Sequence, residues 1–518
     1  MSLTGLPLEL QVQIFAYLDP EGIVAFRQTC RHFHTLERSF HLSIWQQCVE
    51  ILCSGSPLFL PTFQFPTLSS KALESMARRA SLMEPILEAK QRDPGAEPLA
   101  FKTLDLESRE NSAAGFNGVF LLPGGRFILA LGDKDLQVWD LAPYHERFAM
   151  PIIVKSFSIP ASLSSRAFTA MGSKDRVFIL LEDNFDELEA DSGRFEAYGV
   201  NANEEFDINT AYELRIAGDE PTFVKLGEVA FVREYAAGSK DLFTFAENMA
   251  IMYIDDALLV WDFVNGTYAA WLVHGASPFR PVLEIFSSNG HVYVLRGIEF
   301  LVYPIPPLTP LGDRPRALRK SALLASPVPH PQRIRLPELH DFGQYSIFFD
   351  DVGTWGLDSA RKGPYAVRDY HENWLETIWY NLPDPPASSA ATVSVAASEK
   401  HTYPPNMFGI GEVVRPYRGR LVTASLWEDL ELDDDTRGHV DVKAYASISS
   451  RYDGSSTAQS AQETEGKPLI TLAPVHSNAT VCDFDPFSGI LVVAGPRALG
   501  CPIRIYDFIR PLLPTTSP

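Results

Sequence analysis

From residue 5 to residue 53 the apolar positions recur at helical spacing, whereas from about residue 100 they gather into short runs broken by Gly, Asn, Asp and Ser. Gly5-Leu6-Pro7 predicts a helix start, with proline at the first helical position, where its missing N–H costs nothing. Glu9 in the first turn suits the helix dipole. This helix runs from Leu8 to Leu18 and stops at Asp19-Pro20, where Asp19 is a natural N-cap and Pro20 a natural first residue for the next helix. The second helix carries Ile23, Val24 and Phe26 and reaches Cys30. A short third helix includes Phe33 and Leu36, and a fourth carries Leu42, Ile44, Trp45, Val49 and Leu52.

The first helix is apolar on two sides. At about 100° per residue, Leu8, Val12 and Phe15 share one face, while Leu10, Ile14, Tyr17 and Leu18 lie nearly opposite. A surface helix needs one apolar stripe; a helix with two has two things to pack against. One face meets the following helices. The other meets either the chain's own C-terminal part or a separate protein, and a module of about 50 residues benefits from an external surface.

The residues themselves resemble a known family. Leu6-Pro7-Leu8-Glu9-Leu10, Ile14-Phe15-Ala16-Tyr17-Leu18-Asp19-Pro20, Phe26 to Phe33 with Cys30-Arg31, and Ile44-Trp45 occur in the order and spacing of the F-box. The resemblance implies binding of the Skp adaptor, and through it a cullin scaffold and a RING protein. It further implies that Leu6, Pro7, Leu10, Ile14 and Leu18 contact the adaptor, with Glu9 at the rim. Phe15, Cys30, Phe33 and Trp45 would hold the module's own helices together.

After this module, Pro57, Pro61 and Pro66 break structure, and Ser69 to Ala89 reads as one or two amphipathic helices interrupted at Pro85. Such a linker either sets the angle between the two parts or packs on the next domain. Beyond it a unit recurs: two apolar strands joined by a tight turn, then a strand ending aromatic-acidic. Phe116 to Leu141, Leu242 to Phe263, Val282 to Ile305 and Thr480 to Phe508 show it, and weaker units fit at Ile152 to Val200, Arg333 to Leu382 and Ala391 to Ala446, the last with Gly419 to Ser425 as inner strand. The aromatic ends Trp139, Trp261, Tyr303 and Tyr506 stand about 40 residues apart, or near multiples of about 60. A β-propeller of about seven blades follows, with a large β-sandwich as the alternative. Val138-Trp139-Asp140 and Val260-Trp261-Asp262 resemble WD-repeat proteins, but neither unit has the upstream Gly-His pair, which puts that family's buried polar network in doubt.

The expected fold is therefore α+β and multidomain: an F-box over 1–53, a helical, proline-containing linker over 54–99, and a propeller-like substrate-receptor domain over 100–518. With 65 acidic against 44 basic residues the formal charge is −21, which argues against nucleic acid or anionic membrane as partners. The first nine residues lack the basic start and apolar core of a signal peptide, and no run of about 18 apolar residues occurs. The five cysteines include no C-x-x-C pair, so reduced thiols in a cytoplasmic or nuclear protein are expected.

No phosphate-binding, nucleophile-elbow or zinc-protease motif is present. His32 and His34 read as a solvated helix face rather than a metal site. The acidic tracts Glu182–Asp191 and Glu428–Asp435 read as solvated loops, or else as attractors for a basic segment of a target. Ser449–Lys467 and Asp384–Lys400 read as mobile loops. No catalytic, cofactor or metal residues are expected. The expected role is the non-catalytic substrate-recognition subunit of a Skp–cullin–F-box ubiquitin ligase. A binding protein that uses the adaptor without directing ubiquitination is the alternative, and an enzyme built on the propeller is a third reading. The substrate-binding residues cannot be named from sequence.

Overall fold

The structure is a computed structural model. It describes residues 3–54 and 68–92, positions 59 and 62 between them, and the strands, helices and turns named below within 102–509; for 166–173 and 347–471 it describes backbone alone. Four helices open the chain: α1 (Leu8–Ala16), α2 (Pro20–Thr29), α3 (Arg31–Ser39) and α4 (His41–Ser54). The Asp19 carboxylate accepts the Gly22 N–H at 2.6 Å with Pro20 at the first helical position, which explains the sharp turn from α1 into α2.

The linker helix α5 spans Ser70–Arg92, with the Ser69 hydroxyl accepting the Ala72 N–H at its start. Its buried stripe is Ala72, Leu73, Met76, Ala77, Ala80 and Met83, the i, i+3, i+4 pattern of a helix with one inward face. The expected interruption at Pro85 does not occur. Proline fits helical φ and removes one hydrogen bond, and this one lies on an exposed face where water can serve the orphaned carbonyl.

Among the described residues the strands form seven antiparallel sheets, each built from strands nearly consecutive in sequence. The first comprises Phe116–Leu121, Phe127–Gly132, Asp135–Asp140 and Ile152–Ser158, and the second Arg166–Ser173, Arg176–Phe185, Phe206–Ala217 and Glu220–Val232. The third has Leu242–Ala246, Met249–Ile254, Ala257–Asp262 and Thr267–Leu272, with Thr309–Pro310 added at its edge. Val282–Ser288, His291–Arg296, Glu299–Pro304 and Gln332–Arg335 form the fourth. The fifth runs from Ile347–Phe349 to Ser394–Thr402, and the sixth from Met407–Tyr417 to Ile470–Thr471. The seventh takes three strands from the C-terminal end, Val481–Asp485, Ile490–Ala494 and Ile503–Asp507, and its outer strand, Lys102–Leu106, from the start of the domain. That pairing, Lys102 opposite Asp507 through Leu106 opposite Ile503, joins the two ends of the ring.

In the sheets whose side chains are described, alternate strand residues feed different cores, as a ring of stacked sheets requires. Phe127, Leu129 and Leu131 pack with Val177, Ile179 and Leu181 between the first and second sheets. Phe178 and Leu180 turn the other way, onto Met252, Leu259 and Trp261 of the third. Ile251 and Val260 then meet Val292 and Leu301 of the fourth. Ile128, Ala130 and Trp139 meet Val492, Ile503 and Ile505 of the seventh. Both faces of these strands are covered, so they read as continuous apolar runs rather than alternating ones. A sandwich would leave one face of each sheet outward; here the sheets are the blades of a propeller.

Three expected units begin one strand early. Ile152–Ser158, Gln332–Arg335 and Ser394–Thr402 are outer strands of the preceding sheets, and the second sheet extends to Val232. Each outer strand is separated from its three-strand meander by a long connection, so its hydrophobic pattern restarts like a new unit. The stretch 419–425, expected as an inner strand, is strand from Arg420 on, within Arg420–Asp429, the second strand of its four-stranded sheet. The stretch 394–400, expected in a mobile loop, is strand; 384–393 and 449–467 lie outside the described residues.

Two further expectations change. Glu182 and Asp183 are buried inside a strand, paired opposite Asn209 and Ile208, with the Arg233 guanidinium 3.7 Å from Glu182; the rest of that tract up to Asp191 lies outside the described residues, except for the end of its strand at Phe185. Of the second tract, Glu428 and Asp429 end a strand and 430–435 lie outside the described residues. Among the described residues the buried Trp261 indole N–H has no acceptor, and that of Trp139 donates to Gln137 at 3.1 Å, so neither matching tryptophan shows the polar network of WD repeats there. Among the described residues no helix is long and apolar enough to cross a membrane.

Candidate adaptor-binding surface

The interior of the N-terminal module is complete without a partner. Phe15 and Trp45 are fully buried, Phe33 is buried, and Cys30 packs against them half-buried. Phe26 stacks on Phe33 at 4.2 Å, and Phe15 meets Phe26 edge-on at 5.1 Å. The same core continues through the α5 stripe into Phe484, Phe487, Leu491 and Phe508 of the seventh sheet. One apolar face of α1 thus faces inward, with Val12 packed against this core.

The other face points to solvent. Leu3 is 50% exposed, Leu10 46% and Tyr17 90%, while Leu6 and Ile14 are half-buried and Pro7 and Glu9 exposed. Leu6, Pro7, Leu10 and Ile14 therefore form one patch extended by Leu3 and Tyr17, with Glu9 at its edge. Leu18 is divided from it, since it packs partly against the inner core. Leu8 departs from the helical-wheel expectation: it is 46% exposed, because Pro7 is the cap rather than the first helical residue and Leu8 begins the helix before α4 covers it.

Sequence reasoning missed Gln11. Its side chain is buried, and its amide donates to the Leu6 carbonyl at 2.7 Å, fixing the Leu6–Pro7 turn on which the patch depends. His32, exposed as expected, has Nε2 2.6 Å from the Gln11 amide oxygen and so orients that amide. A polar residue between two apolar faces was the available signal. Gln11→Ala leaves the fold intact but weakens adaptor binding by about five- to tenfold, about the worth of one buried hydrogen bond; a binding titration with purified adaptor checks it.

A charged quartet joins the module to α5. Arg27 bridges Glu37 at 3.2 Å and Glu74 at 2.7 Å; His41 lies 2.9 Å from Glu37 and 3.1 Å from Glu74. The Trp45 indole N–H also donates to Glu37 at 3.0 Å. Glu37, His41 and Glu74 present donor atoms within 4.8 Å of one another, but Arg27 and Trp45 already bond the carboxylates, so the group is an ion-pair clamp. Burial alone would lower the His41 value, yet hydrogen bonds to Glu37 and Glu74 carry it from 6.5 up to about 9. Burial likewise opposes the charge on Glu74, which His41 and Arg27 nonetheless bring down to about 2. Because the folded His41 value exceeds the unfolded one, the contribution of the clamp is complete below about pH 6.5 and is lost as the pH rises to about 9. The thermal midpoint should fall across that window in the native chain and stay flatter in His41→Gln.

The free cysteines Cys30, Cys48 and Cys482 take no part in the surface, and burial, followed by the charge of Asp19, pushes the Cys48 thiol up to about 12.

The module and its linker dock at one end of the ring. Phe487 and Gly489 lie in the turn between the first two strands of the seventh sheet, and Tyr144 and His145 lie in α6 (Ala142–Arg147), between the third and outer strands of the first. The opposite end carries the connections between second and third strands, including α7 (Ser192–Tyr198), and the crossings between sheets.

The F-box-like family model matches residues 3–48. No curated protein matches the chain. Among solved structures, the Cps50 (Swd1) β-propeller domain of Myceliophteria thermophila is 8% identical, at a TM-score of 0.39, covering 78% of this chain and 99% of its own. The fission yeast SCAP WD40 domain is 8% identical at 0.34, covering 76% and 82%. A chain of the Chaetomium thermophilum PRC2 in its apo, autoinhibited state is 11% identical at 0.41, covering 80% and 98%. The propeller itself follows from the strand order, the alternating cores and the closure by Lys102–Leu106. The chain carries an F-box-like domain at its N-terminus, followed by a β-propeller.

Proposed function

We propose that this chain is the substrate-recognition subunit of a Skp–cullin–F-box ubiquitin ligase, acting in the cytoplasm or nucleus. The observation that carries the reading is the solvent-facing apolar patch of Leu3, Leu6, Pro7, Leu10, Ile14 and Tyr17 on a module whose own core is already filled. Monomeric proteins seldom keep such a patch without a partner, and F-box domains generally bind Skp adaptors. The propeller, held at one end by α5, presents its opposite end to a target protein. Catalysis of ubiquitin transfer belongs to other subunits; this chain contributes binding and orientation, which raise the effective concentration of target lysines at the conjugating enzyme.

The test is reconstitution. The purified chain with Skp adaptor should recruit a cullin–RING scaffold and support ubiquitin transfer to proteins captured through the propeller. Recruitment of the adaptor without the cullin, or of the whole scaffold without transfer to any captured protein, would favour the alternative, a binding protein that uses the adaptor without directing ubiquitination.

A further inference from the structure

The third strands of the first, third and seventh sheets each end in aspartate: Asp140, Asp262 and Asp507. The residue after each aspartate donates its N–H back to the turn between the first two strands: Leu141 to Arg126, Phe263 to Asn248 and Phe508 to Gly489. Arg126, Asn248 and Gly489 are therefore equivalent positions. In the first sheet Arg126 answers the aspartate directly, with hydrogen bonds to Asp140 at 3.0 and 2.9 Å. In the third, Asp262 is only half-buried and is served by the N–H groups of Val264 and Asn265.

The seventh sheet has a fully buried aspartate and, at the equivalent position, no side chain. Its arginine comes from outside the propeller. Arg79 of α5, itself fully buried, forms an ion pair with Asp507 through both carboxylate oxygens and donates to the Ser488 carbonyl at 3.0 Å. The Tyr144 hydroxyl of the first sheet's α6 donates to the same carboxylate at 2.9 Å, and the Ile509 N–H at 3.1 Å. Beside them His145 is held neutral, burial and then the Arg79 charge lowering it to about 4. Glycine at 489 is required twice over: its φ is +67°, and a Cβ there would stand 2.6 Å from Ile509 Cγ1 and 3.1 Å from the Met83 sulfur of α5. The missing side chain makes the room that α5 occupies.

We propose that α5 is a structural part of the propeller. Arg79 supplies from α5 the arginine that position 489 lacks, at the seam where Lys102–Leu106 closes the ring, so the ring closes stably only with residues 70–92 seated. The F-box linker and the closure of the propeller are then one device, whatever protein the propeller binds: seating α5 fixes the angle of the F-box and locks the seam together.

Hydrogen exchange on the full chain tests this in two ways. In the native chain, amides of α5 and of the seam strands Lys102–Leu106 and Ile503–Asp507 should open as one unit, with a common dependence on denaturant. In Arg79→Met, protection of the seam strands should fall at least ~100-fold, as expected for a buried carboxylate left without its cation, while Met249–Ile254 of the third sheet keeps its protection. Seam strands that keep native protection in Arg79→Met, or that stay closed in the native chain after α5 has opened, would overturn the proposal. If Arg79→Met does not fold, the native-chain comparison decides alone: shared opening supports the proposal and separate opening refutes it.

Discussion

Replacing Leu10 and Ile14 together by aspartate abolishes capture of the Skp adaptor and leaves the propeller folded. Leu10 is nearly half exposed and Ile14 half-buried, and neither belongs to the core that joins α1 to the later helices and the seventh sheet. The free chain therefore loses little stability, about 1 kcal/mol or less, as is usual for surface positions. In the complex the two carboxylates would be desolvated against apolar side chains with no partner, a cost of several kcal/mol each, so affinity should fall by at least ~1,000-fold. Leu10→Ala alone should cost about tenfold, the loss of a single apolar contact. Calorimetric titration with the purified adaptor, alongside thermal unfolding of the free variant, separates binding from folding.

Trp45→Ala should have the largest effect on stability of any single change in the module. The indole is fully buried in the core shared by α1–α5 and the seventh sheet, and its N–H satisfies Glu37. Its removal leaves a large cavity, costing about 3–5 kcal/mol, and strips a donor from a buried carboxylate, costing about 1–3 kcal/mol more. The denaturant midpoint of the module should drop sharply, and adaptor binding should be lost with it. Trp45→Phe refills most of the cavity, leaving a small void and the lost donor, so it should retain more of the stability than Trp45→Ala. In Leu10→Asp with Ile14→Asp binding is lost and the fold is kept; in Trp45→Ala both are lost together. That contrast distinguishes a surface from a scaffold.

The solvent-facing side of α1 was legible because helical periodicity is local: Leu10, Ile14 and Tyr17 fall on one face of α1 whatever the rest of the chain does. Leu18, placed on the same face by the helical wheel, also packs partly against the inner core, since it lies beyond the end of α1 at the turn into α2. The strand-turn-strand texture identified the propeller, but the start of each unit was wrong wherever an outer strand lay far from its meander, because pairing between strands is not encoded in either strand alone. Arg79 had a readable signal that went unread: it sits within the apolar spacing of Met76, Ala80 and Met83, where a charge is out of place unless something buried answers it. Its answer, Asp507, lies 428 residues away, beyond the reach of any pattern along the chain.

The most direct test of the account is hydrogen exchange of the full chain with and without the Skp adaptor. The patch on α1 predicts that protection is gained across residues 3–18, with little change in the propeller sheets. Complex formation with protection confined to the propeller, or no complex at all with α1 unchanged, would contradict it.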